Sequence, residues 1–145
     1  MDGPAPRRAL LAGAVLAAAF CIPPAIVAAG DLTIRVAGLR SADGEVLVAL
    51  CTPETFTERT CAINGRAPAG RDVTLRDVPP GVYAAQAVHD ENGDGDLNRG
   101  LLLPLEGVGF SRDAPMRRGP PRFEDAAVRV GPEGGTLDLT MRYFQ

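Results

Sequence analysis

The stretch DVPPGVYAAQAVHDENGDGDLN, residues 77–98, sets one strand between two chain reversals. In the first, Pro80 presets one central dihedral and Gly81 is expected to supply a positive φ, the chemistry of a tight turn. Tyr83, Ala85 and Ala87 then recur at every second position, the period of a strand with one face buried. Asp90, Asn92, Asp94, Asp96 and Asn98 follow on alternate positions around Gly93 and Gly95. Such a run either reverses a chain or wraps a hard cation, because Asn, Asp and Gly tolerate left-handed backbone and also present oxygen ligands.

The same signature extends outward in both directions. Leu32, Ile34 and Val36 alternate, Ser41-Ala42-Asp43-Gly44 reverses the chain, and Val46, Val48 and Leu50 alternate again. Residues 52–70 are polar and contain Pro53 and Pro68, so they read as a loop with at most one helical turn around 54–57. Val73 and Leu75 open a third strand, ahead of the one through Tyr83. On the far side, Gly107-Val108-Gly109-Phe110 reads as a short strand or bulge, and Pro115, Pro120 and Pro121 break regular structure around them. Phe123, Ala126, Val128 and Val130 begin a penultimate strand, residues 131–135 turn, and Leu137, Leu139, Met141 and Tyr143 alternate to the end. About seven short strands, frequent turns and no amphipathic helix predict an all-β fold, a single antiparallel β-sandwich.

Residues 1–29 read as a signal peptide: Arg7 and Arg8, an apolar run over residues 9–22, then Val27-Ala28-Ala29 with small residues at the cleavage positions. Pro23 and Pro24 interrupt the run, which argues against a spanning helix. Residues 30–145 then form one domain, of a size for one core, with no membrane span after cleavage. It carries 17 acidic and 13 basic side chains, a net charge of about −4, which does not suit nucleic acid. The expected setting is periplasmic or secreted, and the expected state is a monomer. In an oxidising compartment Cys51 and Cys61 are expected to form a disulfide, worth about 3 kcal/mol in the chain-entropy model. Their spacing matches neither a CxxC redox pair nor a zinc knuckle.

Against the calcium-loop template, Asp90, Asn92 and Asp94 fall on the first, third and fifth positions, Gly95 on the turn and Leu97 on the apolar position after it. The closing position is Leu101 instead of a bidentate Glu, and the flanks do not read as helices, so a paired EF-hand is not expected. Four acidic groups, Asp90, Glu91, Asp94 and Asp96, lie within seven residues and repel one another unless a cation intervenes. A calcium site outside the EF-hand fold would use Asp90, Asn92, Asp94, Asp96 and Asn98, with Glu91 or Glu106 in place of the missing carboxylate. Its affinity is expected on the order of 0.1–1 mM, as in extracellular modules. The competing reading is a solvated acidic turn.

Catalysis has thinner support. His89, the only histidine, precedes the acidic loop and would serve an envelope hydrolase or redox enzyme as a base. Packing at a strand end is the favoured alternative. Ser41 and Ser111 lack a nucleophile elbow. Glu124 and Asp125, adjacent on an expected strand, would point to opposite faces and could not flank one bond. A third reading is a small-ligand carrier in which Tyr83, Phe110, Phe123 and Tyr143 line a groove and Arg112, Arg117 and Arg118 attract an anion.

The segments DLTIRVAGLRSADGEVLVAL, DVPPGVYAAQAVHDENGDGDLN, EGVGFS and RFEDAAVRV, taken in order, resemble a bacterial secreted family, the domain of unknown function 2141 family. PPGVY ahead of a strand is similar to the turn in carboxypeptidase-regulatory and transthyretin-like (prealbumin-like) sandwiches. The resemblance implies an exported sandwich and leaves activity open. The resulting expectation is a non-catalytic binding or structural module with a calcium-stabilised acidic loop, its partner an envelope protein or a small ligand.

Overall fold

A computed structural model of the chain describes Gly3 and residues 26–56, 61–95 and 105–144, so the leader reading falls mostly outside the described residues. Among them run eight strands: β1 (Gly30–Ala37), β2 (Glu45–Cys51), β3 (Ile63–Pro68), β4 (Val73–Val78), β5 (Gly81–Asp90), β6 (Gly107–Phe110), β7 (Ala127–Val130) and β8 (Gly135–Thr140). They form two packed sheets, one ordered β4-β1-β8 and the other β3-β2-β5-β6 with β7 also on β5. The β-sandwich is therefore present. Its pairings are antiparallel except that β1 and β8 run parallel. A parallel pair needs a long crossover, and almost the whole domain lies between these two strands.

The core between the sheets is built from alternate residues, as the period predicts: Leu32 and Ile34 of β1, Val46, Val48 and Leu50 of β2, and Tyr83, Ala85 and Ala87 of β5. A second apolar cluster covers the outer face of β5. It gathers Cys51, Phe56, Cys61, Ala84, Val108, Phe110, Ala114 and Ala126. Phe56 meets Phe110 and Phe123 edge to face, with centroids 6.3 and 5.8 Å apart. Because β5 is covered on both faces, its sequence reads as a nearly continuous apolar run. Its alanines let the second layer approach closely. The Cys51–Cys61 disulfide lies in this cluster, with Cα atoms 4.9 Å apart, inside the usual range for a bridge.

Several local expectations are corrected. Residues 63–68 form β3, where the polar composition suggested a loop. This strand sits at a sheet edge, pairs only with β2 and alternates half-buried with exposed residues, so packing leaves little apolar pattern to read. Gly81 opens β5 without a positive φ. A Cβ there would lie 3.1 Å from the Tyr83 ring, and close packing of that ring, whose hydroxyl donates to the Pro79 carbonyl at 2.8 Å, is what a side chain would disturb. Phe123–Ala126 make one helical turn, α1, before β7, so Glu124 and Asp125 are not strand neighbours. β8 ends at Thr140, although Met141 and Tyr143 still reach the inter-sheet core.

Candidate metal centre

Asp90 is the last residue of β5, where the chain departs into the acidic loop. It returns at Glu106, immediately before β6. Because His89 pairs with Gly107 in the antiparallel register, one further step places Glu106 across from Asp90. Asp94 completes the group: one carboxylate oxygen from each of Asp90, Asp94 and Glu106 lies within 4.8 Å of the others. Asp90 is 1% exposed and Glu106 5%, whereas Asp94 is exposed.

The loop is shaped by Asp90 itself. Its Oδ1 accepts the Gly93 and Asp94 amides at 2.8 and 3.2 Å, and its Oδ2 accepts the Gly95 amide at 2.8 Å. Gly93 and Gly95 supply the positive φ angles of 73° and 74° that let three amides converge on one carboxylate. A carboxylate offers about four acceptor positions, so Asp90 retains capacity for a further contact. Asn92 turns inward on the loop, its Nδ2 donating to Asp94 Oδ2 at 2.9 Å and its Oδ1 accepting the Asp94 amide at 3.1 Å. Among the proposed ligands, the structure thus brings together Asp90, Asp94 and Glu106, with Asn92 one bond away. Asp96 and Asn98 lie outside the described residues, as do Leu97 and Leu101.

Glu91 takes a different path. Its carboxylate pairs with the Arg40 guanidinium and accepts the Ser41 hydroxyl at 2.8 Å. Arg40 beside it, opposed by partial burial and aided by Ser41, holds its pKa down to about 2. It therefore braces the base of the loop against the β1–β2 reversal. Gly44 in that reversal has φ 70°, and a Cβ would sit 2.0 Å from the Asp90 carbonyl oxygen. Only glycine allows this approach.

His89, 0% exposed, has both ring nitrogens engaged. Nε2 lies 2.8 Å from the Asp43 carbonyl and Nδ1 2.7 Å from the Tyr143 hydroxyl. A carbonyl only accepts, so Nε2 carries the proton, and in the neutral ring Tyr143 donates to Nδ1. Tyr143 in turn accepts the Arg40 amide at 3.1 Å, and the Arg40 guanidinium stacks 4.6 Å from its ring centroid. Burial raises the Tyr143 pKa, against the pull of the Arg40 amide. This chain of contacts joins the first reversal, the end of β5 and the C-terminal segment. It fits a structural histidine better than a base facing substrate.

Ser111 is a residue whose role sequence reasoning missed. On one edge of β5, β7 pairs up to Ala84 and β6 begins at Gln86, so Ala85 faces a gap between two ladders. The buried Ser111 hydroxyl fills it, accepting the Ala85 amide at 2.9 Å and donating to the Ala126 carbonyl. The four aromatics named for a ligand groove lie in two clusters, Tyr83 and Tyr143 in or against the inter-sheet core, Phe110 and Phe123 in or against the outer one. No local signal marks the roles of Arg40, Ser41, Tyr143 or Ser111, since the partners described here lie 15 to 103 positions away.

Two solved structures of a "Pilus-presented adhesin, Spy0125 (Cpa)" are similar at 15% and 16% identity and TM-scores of 0.33 and 0.32. They cover 81% and 80% of this chain, which spans only 27% and 28% of theirs. No curated protein matches. A family profile matches residues 34–137, from within β1 to within β8 and through the whole carboxylate group, and the chain accordingly belongs to the family described as "Uncharacterized protein conserved in bacteria (DUF2141)".

Proposed function

We propose that the protein is an exported, monomeric, non-catalytic binding or structural module of the periplasm or extracellular space whose acidic loop is stabilised by calcium. The observation that carries this reading is the convergence of Asp90, Asp94 and Glu106 within 4.8 Å, two of them buried. Carboxylates taken from water repel one another, and a hard cation with oxygen ligands relieves that cost. The donor set is all oxygen, which suits calcium and not a thiophilic metal. Asp90, Asp94 and Glu106 would hold the ion, with Asn92, Asp96 and Asn98 as further ligands. Its role would be to lock the loop between β5 and β6 and so shape one end of the sandwich for an envelope partner or a small ligand. Export is supported by β1 beginning at Gly30, next to the expected cleavage point, and by the disulfide, a bond of oxidising compartments.

The test is titration of the EDTA-treated protein with calcium, followed by calorimetry and thermal melts, with magnesium as control. A saturable, calcium-specific rise in melting temperature is expected, saturating on the order of 1 mM. Asp90→Ala and Asp94→Ala are expected to abolish that rise. An equal response in wild type and both variants would remove the loop as the site.

A further inference from the structure

At the other end of the chain's chemistry, the segment between β6 and β7 encloses a cleft of about 760 Å³. This lies in the range of about 300–1,000 Å³ typical of small-molecule sites. Arg112, Arg117, Arg118 and Arg122 line it, together with Glu124 and Asp125. Four cations against two anions make the wall net positive in a chain whose formal charge is −3. Any attraction of an anion is therefore local to this wall and not a property of the whole molecule.

The four arginines are not equivalent. Arg122 is bound to Asp125 through Nε and Nη2, both at 3.2 Å, which neutralises that carboxylate. Arg112 donates through Nη1 to the Glu124 carbonyl at 3.2 Å, which pins the cleft wall while leaving most of its fork uncommitted. Arg117 and Arg118 are exposed on the wall and make no ion pair or hydrogen bond with the described residues. The backbone is held in an unfavourable form at the same place: Arg112 and Asp113, neither of them glycine, have φ angles of 60° and 50°. Left-handed backbone at such residues persists only where surrounding contacts impose it, and it is frequent in ligand clamps. Arg112 here donates to the Glu124 carbonyl, and Asp113 pairs with Arg142. Pro115, Pro120 and Pro121 stiffen the rest of the wall.

We propose that this cleft binds a compact, multiply charged oxyanion, with Arg117 and Arg118 as the grasping forks and Arg112 and Arg122 as braced neighbours on the same wall. A planar guanidinium donates two parallel N–H bonds to adjacent oxygens, a match shared by phosphate and carboxylate groups. Both sources present the same chemistry to the cleft, and the probes separate them.

The experiment is isothermal titration of the purified protein with pyrophosphate and, separately, citrate, in calcium-free buffer so that the acidic loop plays no part. Saturable one-to-one binding of at least one probe is expected, weakening as salt rises. Preference for pyrophosphate would assign a phosphate-bearing ligand, preference for citrate a polycarboxylate. The double substitution Arg117→Ala/Arg118→Ala is expected to weaken binding about tenfold or more while leaving the melting temperature unchanged, since both side chains are exposed. Arg117→Lys/Arg118→Lys is expected to recover only part of it, because charge is kept and the fork is lost. Arg71→Ala, an exposed arginine away from the cleft, is the control and should change nothing. The proposal is overturned by absence of saturable binding of both probes up to about 10 mM, by undiminished binding in the double alanine variant, or by equal loss in Arg71→Ala.

Discussion

The two halves of β5 are secured by different physics. At Ala84–Gln86 the strand lies beside the Cys51–Cys61 bridge, under the aromatic cluster that contains it, and one hydroxyl completes the broken ladder. At His89–Asp90 it is held by a relay that runs from the Asp43 carbonyl through the His89 and Tyr143 side chains to the Arg40 amide, and from the Arg40 guanidinium to Glu91. The contacts of the first half are a reducible bond, aromatic packing and a hydroxyl, none of which titrates in the ordinary pH range. The second includes the Arg40–Glu91 pair, which requires an ionised carboxylate, and, under the calcium proposal, the ion. One strand thus carries a static anchor and a condition-sensitive one, about four residues apart, on the order of 13 Å along the chain.

The largest effect is expected from breaking the disulfide beside the first half. Cys51→Ala/Cys61→Ala should cost about 2–5 kcal/mol, read from denaturant unfolding, while any calcium response persists. Loss of that response together with the disulfide would show that the two ends are one cooperative unit. Next comes Ser111→Ala, expected to cost up to about 3 kcal/mol, because it leaves the buried Ala85 amide and Ala126 carbonyl unmatched in the gap between β6 and β7. Retention of wild-type stability would mean that the gap closes by itself.

At the other end, Tyr143→Phe removes the donor to His89 Nδ1 and should cost about 1–2 kcal/mol. Hydrogen exchange is expected to rise at residues 89–91 and 40–44 and to stay unchanged around Ala85. Uniform loss of protection would erase the distinction between the ends. The smallest effect concerns Glu91. Its folded-state pKa, held to about 2 by Arg40, is below the ordinary value near 4.3. Its contribution is therefore fully present above about pH 4.5 and is lost as pH falls towards 2. Glu91→Gln should lower the melting temperature slightly at pH 7 to 8 and converge on wild type as pH falls towards 2, so that the fall across that window is flatter; a slope identical to wild type would show that Glu91 titrates as if unpaired.

Legibility in the sequence followed burial. β1, β2, β4 and β5 were readable because one face of each lies in the inter-sheet core, and a period of two survives wherever a face is buried. β3 was not, since an edge strand takes its order from the backbone of β2 and needs no apolar stripe. α1 carries a strand-like pattern because Phe123 and Ala126 are apolar for the sake of the outer cluster, not for a sheet face. At the acidic loop, Asp90, Asn92 and Asp94 announce themselves by spacing. The choice between Glu91 and Glu106 does not, because it depends on a register between β5 and β6 and on an arginine 51 positions away.

By itself, then, the order of residues determined the all-β class, the turns, the acidic loop and the pair of cysteines, because each depends on chain neighbours or on short-period burial. Only tertiary structure decided that β1 and β8 pair in parallel, that Glu106 and not Glu91 joins Asp90 and Asp94, that His89 is tied to Tyr143, and that Ser111 serves as a ladder rung. Those contacts join residues from 12 to more than 100 positions apart, and a distant pair leaves no periodic trace in either local segment. Their geometry is fixed when the two sheets pack and bury groups that must then find partners among whatever the fold has brought beside them.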